Sequence, residues 1–363
     1  MDKFKLISSQ KEVYASMLKD IRQAKKSIYL ETYIYRRDKI GDLFRAALEK
    51  KAAQGVKVYL LIDALNSLNS KFIFPLFTKK PFEKEYFAHL SKLGGEVRFF
   101  KELKYAFRIF EVNHERNHRK LLIIDDKISY LGSINITADC LKWRELVLRI
   151  EGKVTEAFLS SFIYHWNLSQ KLSLKKIQFI LHRGFEIIQD FPADRKKIYQ
   201  TKYLKLIKNS KNEILIETPY FVPPLRIRHA LKRALKRKVR VKILLPYKSD
   251  QNLMDRLRNR YLGSLYKKGA EIFYYTPNSL HSKILLVDKQ YFILGSSNLD
   301  YRSLSHQYEI NLFGQNKEIV KSLLDFFNSG LKKAVKFNYP EWKERSSFKK
   351  IIELLLSFVA QYL

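Results

Sequence analysis

Residues 118–125, HRKLLIID, decide the fold, and residues 281–288, HSKILLVD, repeat them later in the chain. Each copy reads H-x-K, four apolar residues and an aspartate, and after six further residues it continues into G-S-x-N. A glutamate follows each copy, at Glu145 and Glu309. A single histidine at the start of a strand is usually structural. Two copies of one long pattern instead indicate two repeated halves that share one chemistry.

The alternation of side chains along a strand explains the spacing of histidine and lysine. If residues 118–125 form a strand, His118 and Lys120 point to the same face, and the apolar run between them and the aspartate is typical of a strand buried on both faces. A neutral imidazole can attack phosphorus or move a proton near pH 7, and an ammonium group neutralises phosphate oxygens. A carboxylate behind a histidine fixes its tautomer. Two copies therefore predict phosphodiester chemistry with one histidine as nucleophile and the other as acid.

The doubled pattern H-x-K-x4-D-x6-G-S-x-N resembles that of the phospholipase D superfamily. Flanking stretches that resemble the bacterial cardiolipin synthases are YLETYI from residue 29, GVKV from 55, WRE from 143, ETPYFVP from 217, LLP from 244 and SSNLDYRS from 296. The resemblance runs from about residue 8 to about residue 345. One difference is that those synthases often carry G-G-x-N in the first copy, whereas this chain carries G-S-x-N.

The resemblance implies a covalent phosphatidyl-histidine intermediate and neither metal nor cofactor. The catalytic set that it implies is His118, Lys120, Asp125, Glu145, His281, Lys283, Asp288 and Glu309. Within this set the first-copy histidine is the expected nucleophile, the second is the general acid and then the base, and the two glutamates orient the histidines. Both aspartates belong to the motif, although in such sites they are usually structural and set behind the strand. The side chains expected to hold the phosphate, besides the two lysines, are Ser133, Asn135, Ser296 and Asn298.

Helices and strands alternate in the same order in both parts of the chain, which predicts an α/β fold. The predicted halves are residues 1–168 and 174–335, each with a mostly parallel or mixed sheet flanked by helices, and residues 336–363 fall outside the repeat. We expect the halves to meet at a pseudo-two-fold axis that passes through one active site. Glu31 and Glu217 occupy equivalent strand ends, and they are either acids behind the site or surface glutamates.

The net charge and the single cysteine limit the partners and the metal sites that this chain can have. The 363 residues carry a formal net charge of +33, which favours anionic partners such as phospholipid surfaces or nucleic acid. Cys140 is the single cysteine, so the chain can form neither an internal disulfide nor a cysteine-based zinc site. The polar start lacks a signal peptide, and no apolar run approaches the roughly 18 to 20 residues that span a bilayer. We therefore expect peripheral contact with the cytoplasmic face of a bacterial membrane.

Three segments are candidates for this membrane contact. Residues 70–82, SKFIFPLFTKKPF, and residues 99–110 mix aromatic side chains with lysine or arginine, and each is either a loop that enters a headgroup layer or a loop packed on the core. The helix predicted at 225–237 carries many basic residues, typical of a solvated face or of contact with anionic headgroups. From residue 347 the chain reads as a helix with a wide apolar face, which either docks on the domain or enters the membrane surface.

The sequence thus favours a metal-independent phosphatidyltransferase that makes cardiolipin from two phosphatidylglycerols and releases glycerol. A phospholipase D-type hydrolase or a nuclease would use the same residues, since water can resolve the same intermediate and the positive charge suits nucleic acid as well. A lipid-binding protein with a vestigial site is a further alternative, which the two intact motifs disfavour. Oligomeric state and the headgroups of donor and acceptor do not follow from the sequence.

Overall fold

The structure, a computed structural model, describes residues 2–64, 82–101, 115–170, 179–182, 184–192 and 197–360. Within them the fold is α/β, as predicted. The strands are β1 Lys3–Ile7, β2 Ser27–Thr32, β3 Lys57–Asp63, β4 Glu96–Phe100, β5 Arg116–Asn117, β6 Leu121–Ile124, β7 Ile128–Gly132, β8 Val147–Glu151, β9 Phe179–His182, β10 Phe185–Asp190, β11 Glu213–Glu217, β12 Arg240–Pro246, β13 Glu271–Tyr275, β14 Ile284–Val287, β15 Tyr291–Gly295, β16 Gln307–Gly314 and β17 Ala334–Lys336. The helices are α1 Gln10–Gln23, α2 Lys39–Ala53, α3 Phe82–Tyr86, α4 Ala88–Lys92, α5 Val154–Leu168, α6 Ile198–Asn209, α7 Leu225–Lys236, α8 Asn252–Tyr266, α9 Tyr301–Ser305, α10 Lys317–Leu331, α11 Tyr339–Lys343 and α12 Ser347–Val359, with a 3₁₀ turn at Ala138–Lys142.

The first sheet has the strand order β1-β8-β7-β6-β2-β3-β4. Strands β2, β3 and β4 run parallel to each other, and the other neighbours are antiparallel. Helix α2 connects β2 to β3: it begins where Asp38 accepts hydrogen bonds from the N–H groups of Ile40 and Gly41, and it ends before Gly55, whose φ of 80° suits glycine. The register pairs Glu31 with Leu121, so the end of β2 lies beside the first H-x-K segment.

The second sheet repeats this arrangement. Its order is β17-β13-β12-β11-β14-β15-β16-β10-β9, and from β10 to β13 it matches the order of the first sheet from β1 to β4. Here β11, β12 and β13 are parallel, and the register pairs Glu217 with Ile284 at the start of β14. The two similar halves predicted from the repeated motif are therefore present, with β9 and β17 added at the edges of the second.

Short backbone pairings join the halves next to each H-x-K segment. Strand β5 pairs in parallel with the start of β16, and the His118 N–H donates to the Tyr308 carbonyl at 3.0 Å. In the reciprocal connection, Arg144 forms a bridge with Leu280, and the His281 N–H donates to the Arg144 carbonyl at 2.9 Å. Each H-x-K segment is thus tied to the opposite half, which is the pseudo-two-fold relation that the repeat predicts.

An apolar core extends across both sheets. One cluster of buried side chains contains Leu121 and Leu148 from the first half and Leu286 and Leu312 from the second. Helix α5 contributes Phe162 to the same cluster, and each such side chain stabilises the fold by about 1.5–3 kcal/mol when fully buried. The two halves are therefore joined by a shared apolar core.

Helix α12 packs on α8 through one side and leaves the other side exposed. Arg345, just before the helix, binds the Glu353 carboxylate through Nε and Nη2 at 2.8 and 2.9 Å. On the exposed side, Phe348 retains 72% and Phe358 70% of its accessible surface, and Ile351 and Leu355 are also exposed. The predicted helix exists and docks on the domain through one side. Its other side presents an apolar face to solvent, and the expected entry of this helix into a membrane surface stays a prediction.

The two aromatic loops proposed from the sequence fall mainly outside the described residues. This applies to residues 70–81 of the first and to residues 102–110 of the second. None of the helices in the described part of the chain combines the length and hydropathy that crossing a bilayer requires.

Candidate active site

The two H-x-K segments lie just before strands rather than within them. We expected a strand over residues 118–125, but β6 begins only at Leu121, and β14 begins at Ile284. His118 and Lys120 are both 4% exposed, and the Lys120 ammonium donates to the carbonyl of His118 at 2.6 Å. Lys283 donates in the same way to the carbonyl of His281. Each ammonium group is therefore folded back beside its own histidine.

Each histidine is held by the glutamate of the opposite half. His118 Nδ1 lies 2.9 Å from Glu309 Oε1, and His281 Nδ1 lies 2.8 Å from Glu145 Oε1. Both glutamates are fully buried. Because a carboxylate accepts the proton on Nδ1, the other ring nitrogen, Nε2, carries the free lone pair in the neutral imidazole. The arrangement prepares both rings to attack or to exchange protons through Nε2.

The two serines of the G-S-x-N motifs support these glutamates. Ser133 donates its hydroxyl proton to Glu145, and Ser296 donates its proton to Glu309. Each serine oxygen also accepts a backbone N–H, from the residue after the glutamate, at 3.2 and 3.0 Å. Each hydroxyl has one proton and donates it to a carboxylate, so the serines fix the glutamates that hold the histidines, and their expected role in binding phosphate stays a prediction.

The two asparagines are buried close to the same segments. Asn135 accepts the N–H of Ile34 on Oδ1 at 3.3 Å, which leaves its amide N–H groups for another partner. Asn298 is 4% exposed, and among the described residues its Oδ1 has no hydrogen-bond partner. Their role in holding the phosphate remains a prediction.

Asp125 and Asp288 lie away from the histidines, behind the strands, as we expected for structural aspartates of the motif. Asp125 accepts hydrogen bonds at 2.7–3.1 Å from the backbone N–H groups of residues 25–27, and Asp288 does the same at 2.7–2.9 Å for residues 211–213. Five residues of extended chain separate Lys120 from Asp125, or roughly 16 Å. These aspartates secure the turns before β2 and β11 at the opposite end of β6 and β14.

Glu31 and Glu217 are buried acids behind the site, not surface glutamates. Glu31 accepts Arg119 Nε at 3.0 Å and faces His165 Nδ1 at 2.7 Å, and Glu217 accepts the hydroxyl of Ser282. Arg119 and Ser282 are the middle residues of the two H-x-K segments. Both glutamates therefore hold the backbone from which the catalytic side chains project.

Burial and mutual repulsion set the protonation of the cationic groups. Burial, followed by the charges of Lys120, Lys283 and His281, holds the pKa of His118 well below its usual value. Burial lowers the pKa of Lys120 to about 7 and that of Lys283 to about 8. Because groups from the second motif act on the histidine of the first, the two motifs share one site.

The two histidine–glutamate pairs differ in their electrostatics. Burial raises the pKa of Glu309 to about 7. Burial acts on Glu145 in the same direction, but the charge of His281 and its hydrogen bond outweigh it, and the pKa of Glu145 is lowered. The pKa of His281 is also lowered by burial, with Glu145 opposing the shift. The pair of His281 and Glu145 therefore holds an ionised carboxylate more readily than the pair of His118 and Glu309.

Comparison with known proteins identifies a family whose model covers both H-x-K segments. A family model described as "Cardiolipin synthase, PLD-like domain" matches residues 17–166 and 203–331, which is more than half of the chain. The chain belongs to this family. The cardiolipin synthase of Listeria welshimeri is 32% identical over 364 residues, covering 95% of this chain and 73% of that protein. The major cardiolipin synthase ClsA of Bacillus subtilis is 31% identical over 365 residues, covering 96% of this chain and 73% of that protein.

Solved structures share the fold of this cardiolipin synthase family member. Phosphatidylserine synthase of Haemophilus influenzae superposes with a TM-score of 0.74 at 16% identity, covering 99% of this chain and 93% of that chain. Polyphosphate kinase of Porphyromonas gingivalis superposes with a TM-score of 0.62 at 12% identity, covering 100% of this chain and 53% of that chain. At such identities the likeness shows the fold alone.

Two aromatic residues that the sequence reasoning missed contact the histidines of this family member. The ring of Tyr33 lies edge-on to His118 at 4.6 Å between centroids, with the Lys120 ammonium 4.9 Å from the Tyr33 ring. The ring of Trp143 lies 5.0 Å from that of His281. Tyr33 lies two residues after Glu31, and Trp143 lies two residues before Glu145. Because side chains alternate along an extended chain, this spacing places each aromatic ring on the same side as its glutamate, and it was the signal that could have predicted these contacts.

Proposed function

We propose that the protein transfers a phosphatidyl group from one phosphatidylglycerol to a second one, forming cardiolipin and releasing glycerol. One observation carries the proposal: two H-x-K segments share a buried site in which each imidazole is held by a carboxylate of the opposite half. Such a site supplies a nucleophile and a separate acid for one phosphodiester. Membership of the cardiolipin synthase family supports the choice of lipid substrate.

In the first step, His118 Nε2 attacks phosphorus and the bond from phosphorus to the glycerol oxygen breaks. His281 donates its Nε2 proton to that oxygen, so glycerol leaves as a neutral alcohol. The strongly lowered pKa of His118 supports its role as the neutral nucleophile. Burial lowers the pKa of His281 as well, but the ionised Glu145 opposes this shift and stabilises the imidazolium form that donates the proton. Lys120 and Lys283, with Asn135 and Asn298 beside them, neutralise the charge that develops on the phosphate oxygens.

In the second step, the hydroxyl of another phosphatidylglycerol enters the position that glycerol left. His281, now neutral, takes the hydroxyl proton while the oxygen attacks phosphorus, and the bond from phosphorus to His118 breaks. Cardiolipin forms, and both histidines return to their starting states. Water in place of the lipid hydroxyl would give phosphatidic acid, so the ratio of transfer to hydrolysis depends on how well the cleft excludes water. No step requires a metal ion.

We also propose that the protein works peripherally at the cytoplasmic face of a membrane, with α12 as one contact. The exposed side of this helix carries Phe348, Ile351, Leu355 and Phe358, and lysines 349 and 350 adjoin it. An apolar stripe flanked by basic residues favours the interface of an anionic bilayer. The exposed basic side chains of α7 add attraction to the same anionic surface.

One experiment distinguishes the candidate activities. The protein is incubated separately with vesicles of labelled phosphatidylglycerol and with single-stranded DNA, and the products are identified. Cardiolipin supports the proposal, phosphatidic acid alone would indicate a hydrolase, and nucleotides would indicate a nuclease. EDTA should leave the rate unchanged; a loss that added metal restores would refute a metal-free reaction. His281→Ala should lose nearly all turnover with phosphatidylglycerol while the protein stays folded.

A further inference from the structure

Asp250 is an exposed carboxylate at the end of the second sheet that leads into the second H-x-K segment. Asp250 lies in the loop between β12 and α8, beyond the carboxyl ends of the parallel strands β11 and β12. The Tyr220 hydroxyl, which follows β11, donates to Asp250 Oδ1 at 2.7 Å. Among the described residues nothing donates a hydrogen bond to the second oxygen, Oδ2. Asp250 therefore offers a positioned acceptor to a molecule in the cleft.

The electrostatics place Asp250 on the side of the second histidine. Its charge is among the influences that raise the pKa of His281 and of Lys283, opposing the larger effect of burial. Strand β11 is parallel to β12, and Glu217 at its end pairs with Ile284 at the start of β14. The loops that carry Tyr220 and Asp250 therefore leave the sheet at the end where the second H-x-K segment enters it. Tyr220 also packs against a small apolar cluster around Val222 and Tyr261, which fixes the position of its oxygen.

The surrounding charges restrict what this carboxylate can bind. A phosphate group would be repelled by Asp250 and drawn to the lysines instead. An ammonium headgroup would be attracted by Asp250 but repelled by Lys283 and by a protonated His281. A neutral group with several hydroxyls avoids both conflicts, since it donates to the carboxylate and accepts from the cations. The Tyr220 oxygen retains lone pairs that accept a second hydroxyl of the same molecule.

We propose that Asp250 and Tyr220 form a subsite for the polyol part of the alcohol that leaves or enters beside His281. This inference rests on the proposed function and names the class of alcohol that its two steps handle. Glycerol leaves in the first step, and the glycerol headgroup of the acceptor enters in the second. Because the second step is the reverse of the first in its chemistry, both polyols occupy the same position and use the same two side chains.

The test compares two phosphodiesters in wild type, Asp250→Asn and Tyr220→Phe. Phosphatidylglycerol has a polyol as its leaving group, and bis(p-nitrophenyl) phosphate has none. We expect Asp250→Asn to lower glycerol release by about tenfold to hundredfold, the value of a lost charge-assisted hydrogen bond. Cleavage of the aryl diester should change by less than about fivefold, as for an exposed charge. Tyr220→Phe should lower glycerol release in the same direction by a smaller factor.

Asp126→Asn is the matched control, because Asp126 is an exposed aspartate in the turn at the far end of β6. Free glycerol, added as a competing acceptor, should intercept the intermediate in wild type and in the control but much less in Asp250→Asn. Equal losses on both diesters in Asp250→Asn would overturn the polyol subsite. So would a wild-type preference for ethanolamine or choline headgroups that Asp250→Asn abolishes. Failure of wild type on both diesters would instead refute the proposed function.

Discussion

Replacing Glu145 by glutamine tests the crossed pairing of histidines and glutamates. Glu145 is fully buried and holds His281 at 2.8 Å, although it belongs to the half that contains His118. The substitution removes a charge-assisted hydrogen bond worth about 1.5–3 kcal/mol. It also permits the wrong tautomer, so the whole contribution of the general acid, about 10²- to 10⁴-fold, is at stake. We therefore expect Glu145→Gln to slow glycerol release from phosphatidylglycerol by a factor in this range.

The expected loss of rate depends on the leaving group, so two substrates distinguish the role of Glu145 from that of Glu309. A p-nitrophenolate ion departs without protonation, so the burst of p-nitrophenol from an aryl diester should survive in Glu145→Gln. Glu309→Gln acts on the nucleophile, His118, and should slow both substrates alike. Its effect should be smaller, roughly tenfold, because Glu309 with a pKa of about 7 is already partly neutral at pH 7. Single-turnover kinetics with both substrates measures these rates.

A particular result would contradict the reasoning. If Glu145→Gln abolished the p-nitrophenol burst while Glu309→Gln spared it, Glu145 would serve the nucleophile, and the crossed pairing would not govern catalysis. Circular dichroism of both variants serves as the control for folding. The matched Asp126→Asn protein should behave as wild type on both substrates.

Four further predictions concern the nucleophile, the buried Lys120 and the C-terminal helix. His118→Ala should abolish turnover and the phosphatidyl-enzyme that acid quenching traps with labelled substrate; a trapped adduct in this variant would contradict the assignment. The value of kcat/KM should fall as pH rises above about 7, because Lys120 with its pKa near 7 loses the proton that neutralises phosphate, and a rate rising through pH 9 would refute this. Lys120→Met should remove activity but raise the melting temperature at pH 7 by at least about 2 °C. The pKa of Lys120 is lower in the native than in the unfolded chain, so the unfolded chain binds more protons between about pH 7 and 10, and the buried lysine destabilises the native state at pH 7. Phe348→Ser combined with Phe358→Ser should weaken sedimentation with phosphatidylglycerol vesicles by about tenfold or more, whereas Leu181→Ser, at an equally exposed leucine, should not.

Burying two lysines lowers the stability of the folded chain, but it places two amino groups beside the histidines. Lys120 and Lys283 are each 4% exposed, and burial lowers the pKa of both. Each lysine Nζ donates to the carbonyl of its own histidine, so it is already positioned to contact a phosphate that enters the site. A bound anion would raise both pKa values, which links substrate binding to proton uptake.

Much of the fold could be predicted from the sequence because its signals are local. The alternation of apolar runs with amphipathic helices predicted α2, α7 and α12 to within a few residues. The repeated order of elements predicted two similar sheets. The strand over residues 118–125 was predicted too long, because the apolar run alone marks β6. His118 before it bonds to the opposite half, and Lys120 bonds to the carbonyl of His118, so neither continues the ladder.

The roles of the serines were less accessible to sequence reasoning. Ser133 and Ser296 belong to a motif associated with phosphate binding, and nothing in their spacing shows that each donates to a glutamate twelve or thirteen residues later. That contact exists because β7 pairs with β8 and β15 with β16. Ser133, just after β7, therefore lies opposite the residues that lead into β8, and Ser296, just after β15, lies opposite Ile310 in β16, next to Glu309.

By itself, the sequence determined the reactive groups of this protein: two histidines and two lysines, each pair held at fixed spacing before an apolar strand. Spacing along the chain is a covalent property, so it can be read directly from the sequence. Only the tertiary structure decided which glutamate holds which histidine, since that pairing depends on how two sheets pack across a shared core. Glu145 serves His281 and Glu309 serves His118 because the chain before each histidine pairs with the opposite half. Neither half therefore contains a complete site.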